Sequence, residues 1–330
     1  MSGESDGLRG QGPQGPQGAL FSQLKSEIAK LIVGQDYLVE RLIAALLADG
    51  HVLLEGVPGL AKTKTLTALT TCIDARMNRI QFTPDLLPSD LIGTEVYRPQ
   101  SGDFVIRKGP IFTNLLLADE INRAPAKVQS ALLQAMQERE VTIGEETFSL
   151  ASPFLVLATQ NPIEQEGTYP LPEAQLDRFI MKVKVGYPSF QEELQILEIT
   201  SKEKIDPPLL RKVMSLQDLA TLRRQSASVY IDAKIDHYIV SLVHATREGD
   251  KYGLSGLIEW GASPRASIAL KTCARSLAFI RGRDYVTPDH VKEIAPDVLR
   301  HRILTTFEAE ARGIGSDEIV ATILNSVPVP

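Results

Sequence analysis

One stretch constrains this chain more than any other: Leu53-Leu54-Glu55-Gly56-Val57-Pro58-Gly59-Leu60-Ala61-Lys62-Thr63. It reads as a buried apolar strand, a tight Gly/Pro turn, and a Lys-Thr pair opening a helix. In such a turn successive backbone N–H groups converge on one concavity and hold phosphate oxygens. The positive end of the helix dipole adds to the same point. On this reading Lys62 reaches the β- and γ-phosphates of a nucleotide, and Thr63 offers its hydroxyl to Mg²⁺. Gly56, Val57, Pro58, Gly59, Leu60 and Ala61 form the turn, with Lys64 one residue further into the helix. The usual pattern, G-x-x-x-x-G-K-[ST], has a glycine where Ala61 stands. A methyl group is the smallest possible intrusion there and tolerates entry into a helix.

The chain has 330 residues, enough for about two domains. A net charge of −6 argues against a dedicated nucleic-acid-binding surface. Cys72 and Cys273 are the two cysteines, far apart and without metal-ligand spacing. They read as small core residues in a reducing compartment. No apolar run reaches the ~18 residues of a membrane span, and the first residues lack the plan of a secretory signal. A cytoplasmic location is the expectation, with no membrane insertion.

Residues 1–18 are polar and Gly/Pro/Gln-rich, and are expected to form a disordered tail. From 20 to 47 the apolar spacing is helical: Leu24, Ile28 and Ile32 share one face, and Leu38, Leu42, Ile43 and Leu46 another. Ile32-Val33-Gly34-Gln35 separates the two helices. Short apolar strands then recur at Val52-Leu53-Leu54, 115–118, 154–158 and around Met181-Lys182-Val183. Strands apolar on both faces and separated by helices predict a parallel α/β sheet. Two hairpins are expected, 94–97 with 104–106 and 141–143 with 148–150, as insertions in this plan. After Tyr187-Pro188 the strands stop, and helices are predicted over 191–200, 216–226, 234–247, 264–281 and 288–301. Ser263-Pro264 and Thr287-Pro288 are good helix starts, a capping hydroxyl before a proline. The predicted organisation is a nucleotide-binding αβα domain over 19–187 and a smaller helical lid over 188–330.

Leu115-Leu116-Leu117-Ala118-Asp119-Glu120 is an apolar strand ending in two acids. It delivers both carboxylates to the C-terminal edge of the sheet, where ligands of open α/β sheets bind. Asp119 is placed to hold Mg²⁺ through water, because that ion keeps much of its hydration shell. Glu120 is placed to polarise the attacking water. Asn161 follows the strand ending Ala158-Thr159-Gln160, where a neutral amide can orient that water beside the γ-phosphate. Arg178, in Glu173-Ala174-Gln175-Leu176-Asp177-Arg178-Phe179, suits an arginine that stabilises charge on a neighbouring subunit's phosphate. A surface pair with Asp177 is its alternative. Arg265 opens a helix at Gly261-Ala262-Ser263-Pro264-Arg265, where a cation opposes the helix dipole and therefore suggests a phosphate partner.

The ordered set GVPGLAKT, LLLADEINR, ATQNP, LPEAQLDRF and GASPRAS resembles the MoxR family of AAA+ ATPases, over about residues 20–310. That family's loop carries alanine at the Ala61 position. The resemblance implies the Walker A role for Lys62 and Thr63, Walker B for Asp119 and Glu120, sensor 1 for Asn161, the arginine finger for Arg178 and sensor 2 for Arg265. It puts Val33 and Gly34 on the adenine side. Residues 84–107 resemble the helix-2 insert, and 141–150 the pre-sensor hairpin. It further implies an ATP- and Mg²⁺-dependent ATPase, hexameric rings with nucleotide at subunit interfaces, and chaperone-like work alongside von Willebrand factor A domain partners on unnamed clients. In the mechanism so implied, Arg178 comes from the adjacent subunit and Arg265 ties the lid to the nucleotide. An ATPase subunit of a magnesium-chelatase-like complex shares both insertions, but GVPGLAKT favours MoxR. A slow nucleotide-dependent assembly switch would need neither Glu120 nor Arg178. DNA unwinding is disfavoured by the acidic balance.

Overall fold

The computed structural model of the chain describes residues 15–56, 61–100, 102–161, 167–203 and 208–330. Helices α1 (Gly15–Ala29) and α2 (Asp36–Leu47) lead into β1 (His51–Glu55), α3 (Lys62–Cys72), β2 (Met77–Gln81) and the short α4 (Pro88–Ile92). A hairpin follows, β3 (Gly93–Arg98) and β4 (Asp103–Lys108), then β5 (Leu115–Asp119) and α5 (Ala126–Glu138). A second hairpin, β6 (Glu140–Ile143) and β7 (Glu146–Ser149), precedes β8 (Leu155–Gln160), α6 (Glu173–Leu176) and β9 (Phe179–Lys184). The remainder is α7 (Phe190–Glu203), α8 (Leu216–Ala227), α9 (Ala233–Ala245), β10 (Ile258–Trp260), α10 (Pro264–Ile280), α11 (Pro288–Leu299), β11 (Leu304–Thr305), α12 (Phe307–Ala311) and α13 (Ser316–Ser326).

The main sheet is ordered β2-β5-β8-β1-β9 and all its pairings are parallel. Alternate residues of each apolar strand point to opposite faces, and the two faces carry different cores. Val52, Leu54, Leu115, Leu117, Leu155, Leu157, Met181 and Val183 meet α1, α2, α3 and the C-terminal helices. Leu53, Leu116, Ala118, Val156, Ala158 and Phe179 meet α4, α5 and the base of the second hairpin. That double burial is why these strands read as continuous apolar runs. β2 carries no such run: only Ile80 is buried, because the strand lies at the sheet's edge. It is the one main-sheet strand the apolar pattern does not announce.

Both predicted hairpins form, and one cation bridges them. Lys108 of the first lies over Phe112 and over Phe148 of the second, 4.7 and 4.3 Å from the ring centroids. Two details depart from the sequence expectation. Helix α1 begins at Gly15, so residues 15–18 are not tail. Packing of Phe21, Leu24 and Ile28 anchors the helix, and Pro16 fits its first turn, where its missing N–H has no partner to lose. Residues 1–14 lie outside the described residues. The C-terminal part also contains the small β10–β11 ribbon, too short for a periodic signal.

The C-terminal helices share one continuous core with α1, α2 and a face of the sheet. A buried ionic cluster fixes their orientation. Arg41 of α2 donates through Nε to Asp297 of α11 at 2.8 Å, and Arg300 donates to the same carboxylate at 2.6 Å and to the Lys182 carbonyl at 2.7 Å. Arg41 and Asp297 are both fully buried. Removing one partner of such a pair costs about 3–5 kcal/mol, because the other charge is left stranded. Cys72 and Cys273 are free thiols in this core, as expected.

Candidate functional site

The C-terminal ends of β1, β5 and β8, with the first turn of α3, border a cleft of about 440 Å³. Gly56, Ala61, Lys62, Thr63, Lys64, Asp119, Glu120 and Asn161 line it, eight of the predicted site residues in one place. Val57, Pro58, Gly59 and Leu60 lie outside the described residues. Gly56 is needed where β1 ends: a Cβ there would stand 2.7 Å from the Val185 carbonyl oxygen. Ala61 enters α3 with φ 53°, and Lys62 is the first helical residue.

The Lys62 ammonium donates to the Gly56 carbonyl at 2.5 Å. Burial holds its pKa below the usual lysine range, against the opposing pull of Asp119 and Glu120. An ammonium with a backbone oxygen as its partner, beside a helix N-terminus, is prepared for an anion of higher charge. Asp119 is buried, and its two oxygens are held differently. Arg79 Nε donates to one at 2.6 Å, and the Thr159 hydroxyl to the other at 3.3 Å. Glu120 follows with φ 55°, turning out of the strand. Its N–H donates to Thr159 Oγ1 at 2.9 Å. Gln81 donates to its carboxylate at 2.7 Å, and Arg123 stands 3.3 Å from the same oxygen. One carboxylate and the Thr63 hydroxyl, beside the anion seat, suit an Mg²⁺ that shares phosphate oxygens and keeps several waters. Among the described residues no group of three or more His, Cys, Asp or Glu could hold a metal by itself.

A smaller cavity adjoins the cleft. Leu31, Ile32, Val33 and Gln35 line it from the α1–α2 turn, and Ile196, Ile199 and Thr200 from α7, with Ala61, Lys64 and Ile196 common to both spaces. Gly34 has φ +71°, and a Cβ there would meet the Glu192 carboxyl at 2.6 Å. The turn that carries Val33 therefore requires glycine.

Arg178 and Arg265 are not among the residues lining this cleft. Arg178 immediately precedes β9, which runs parallel to β1 with Phe179 opposite His51. It sits where the strands begin, whereas Lys62, Glu120 and Asn161 follow strand ends. Five strand residues at about 3.3 Å each separate the two edges by about 16 Å, more than an arginine side chain spans. Asp177 does not pair with Arg178. It accepts from Arg302 Nε at 2.7 Å and Ser263 Oγ at 2.9 Å, and Arg265 lies 3.8 Å away. Arg302 also donates to the Phe179 carbonyl at 2.7 Å, which fixes the segment bearing Arg178. Among the described residues no side chain pairs with the Arg178 guanidinium. Arg265, expected to tie the lid to the nucleotide, thus does not border the cleft of its own chain. The helix bearing it, α10, packs beside β9 and α2, and brings Arg265 to the Arg178 edge.

The sequence reading missed Arg79, Gln81, Ile196 and Ile199. The first two sit on the polar edge strand, and the others on a helix whose apolar positions look like ordinary amphipathic spacing. Thr159 was visible only as part of ATQNP.

The profile described as "ATPase family associated with various cellular activities (AAA)" matches residues 51–181, and one described as "AAA lid domain" matches 254–323. Chaperone MoxR1 of Mycobacterium tuberculosis is 50% identical over 307 residues, covering 92% of this chain and 81% of that protein. The chain belongs to the MoxR family of AAA+ ATPases. A crystal structure from Cytophaga hutchinsonii superposes with a TM-score of 0.89 at 48% identity, over 95% of this chain and 96% of that one. The chloroplastic magnesium-chelatase subunit ChlI-1 of Arabidopsis thaliana is more distant, 29% identical over 57% of this chain and 43% of its own length. MoxR membership accounts for the αβα sheet with its added lid, and for ATPase activity.

Proposed function

We propose that this MoxR ATPase hydrolyses Mg²⁺-bound ATP at the interfaces of a ring, hexameric as its family suggests, and uses the cycle to remodel client protein complexes. One observation carries the reading: Lys62, Asp119, Glu120 and Asn161 border one cleft, while Arg178 and Arg265 stand together on the opposite edge of the sheet. A chain built this way supplies two halves of a site that only neighbouring copies can join. Lys62 and the first turn of α3 would hold the phosphates, and Val33, Ile196 and Ile199 the base. Thr63 and Asp119 would hold Mg²⁺, which when bound would neutralise phosphate charge and orient the γ-phosphate. Glu120 would take a proton from the attacking water and Asn161 would position it. Arg178 and Arg265 would approach the neighbour's nucleotide and stabilise charge as the bond breaks. The first hairpin, with Tyr97 and Phe104 exposed side by side, offers a surface for a client and is tied to the second through Lys108. A chaperone-like role follows the name of the M. tuberculosis relative. Von Willebrand factor A domain partners and a cytoplasmic location are part of the same proposal. No helix among the described residues is long and apolar enough to cross a membrane.

Glu120→Gln is the direct test. It is expected to bind ATP normally and to lose about 10²–10⁴ in turnover, the usual contribution of a positioned base. Normal turnover would remove Glu120 from the mechanism. Near-zero turnover in the unmodified chain, with and without other proteins, would favour the assembly switch.

Arg79 pairs with one oxygen of Asp119, the carboxylate proposed to hold Mg²⁺. Arg79→Met is expected to lower the Mg²⁺ concentration that half-saturates the effect on nucleotide affinity by about two- to fivefold, since a half-exposed pair contributes up to about 1 kcal/mol. A fluorescent ATP analogue titrated with Mg²⁺ measures it. An unchanged midpoint would show that Arg79 does not compete.

A further inference from the structure

Helix α7 is the least embedded long helix of the chain. None of its residues with described side chains belongs to either core. One face, Ile196, Ile199 and Thr200, closes the adenine-side cavity. A different face carries Phe190, Leu194 and Leu197, spaced i, i+4 and i+7 and therefore aligned as one stripe. These side chains are 73%, 44% and 65% exposed. Glu193 and Glu198 flank the stripe, both exposed. An apolar stripe of this size on a helix that roofs a ligand cleft marks an interaction surface.

A second unpartnered apolar group lies at the other half of the divided site. Trp260, the one tryptophan of the chain, is 69% exposed at the end of β10, five residues before Arg265. Ile268, 67% exposed, follows Arg265 by one turn of α10. Trp260 also borders the hollow formed by Asp177, Ser263 and Arg302 beside Arg178. The cations here are Arg178, Arg265 and the exposed Arg247, whose Nε donates to the Ala262 carbonyl at 2.8 Å and holds the turn before Arg265. The first patch is apolar with two glutamates at its border, and the second is apolar with three arginines and the exposed Glu259 and Glu173 at its border.

We propose that the Phe190–Leu194–Leu197 stripe of α7 is the seat of Trp260 and Ile268 from a second copy of this chain. This rests on the interface reading above and specifies its contact. Two observations name the occupant. For Arg178 and Arg265 to reach a nucleotide, the edge that bears them must come to another copy's cleft, and α7 forms the rim of that cleft. Arg247, the exposed cation of the Trp260 patch that is not assigned to the phosphates, is there to meet Glu193 or Glu198 of α7. The contact joins unlike patches, so it runs head to tail, as a ring requires, and does not make a two-fold dimer. It also gives α7 two tasks, the base on its inner face and the neighbour on its outer one. Occupancy of the cavity would therefore be felt at the subunit contact.

The lone tryptophan makes this measurable. The full chain is followed over a concentration series with ATP and Mg²⁺, by sedimentation velocity and by tryptophan emission. Emission is expected to shift to shorter wavelength along the assembly curve. Leu197→Glu is expected to weaken association about 30-fold, the scale of a central contact residue, and to remove the shift. Its circular dichroism and its binding of a fluorescent ATP analogue should remain those of the unmodified chain. Trp260→Ala is expected to weaken association to a similar extent. Assembly with unchanged emission, or Leu197→Glu and Trp260→Ala chains that associate as tightly as the original, would overturn the proposed contact and leave the divided site standing. A chain that remains monomeric under all these conditions would overturn both.

Discussion

Lys62→Ala is expected to bind ATP at least about 10- to 100-fold more weakly, with hydrolysis lost at working concentrations. The reason lies in what the ammonium lacks. It is partly desolvated, which lowers its pKa, and it donates to the Gly56 carbonyl rather than to a carboxylate. A triphosphate brings several anionic oxygens to that spot. A charge-assisted hydrogen bond there contributes about 1.5–3 kcal/mol, a factor of about 10–100 in affinity. The N-terminus of α3 would remain, so weak residual binding is consistent with the assignment. Titration with a fluorescent ATP analogue decides it. Affinity equal to that of the unmodified chain would remove Lys62 from the phosphate site. Lys62→Arg adds a control. It keeps the charge on a bulkier planar group, and is expected to fall between the two.

Arg178→Ala is expected to lose about 10³–10⁵ in turnover, the range measured for arginines that act on a neighbour's phosphate. ATP binding to its own cleft should be nearly untouched, because Arg178 stands about 16 Å away at the other edge of the sheet. The decisive form of the experiment mixes two inactive chains. Arg178→Ala chains keep an intact cleft, and Glu120→Gln chains keep an intact arginine edge. In mixed rings some interfaces pair the intact cleft of one with the intact edge of the other, and ATPase activity is expected to reappear in proportion. No recovery in rings shown to be mixed would place both groups in one subunit's site and refute the division of labour. Arg265→Ala should behave as Arg178→Ala does in this assay, since Arg265 lies 3.8 Å from Asp177, the residue that precedes Arg178.

Much of the fold could be read from local pattern. The central strands are apolar on both faces because each side packs a separate core, so their runs in sequence are continuous. The caps at Ser263 and the break at Gly34 act within a few residues, and so are visible in short windows. Ile80 is the only buried residue of β2, and an edge strand facing the cleft with Arg79 and Gln81 has no periodic signature. The sequence also could not say which carboxylate Arg79 would meet. That depends on β2 lying beside β5, a pairing between segments almost forty residues apart.

The amino-acid order by itself determined the Lys-Thr pair that opens α3, the acids at the end of β5, the amide at the end of β8 and the family. Each is a run of neighbours whose spacing already encodes its geometry. Only the tertiary structure decided where Arg178 and Arg265 stand. Their position depends on the parallel register of β9 with β1 and on the Arg41–Asp297–Arg300 cluster that seats the C-terminal helices against α2. Register and helix docking are set by contacts between distant segments, and no local spacing records them.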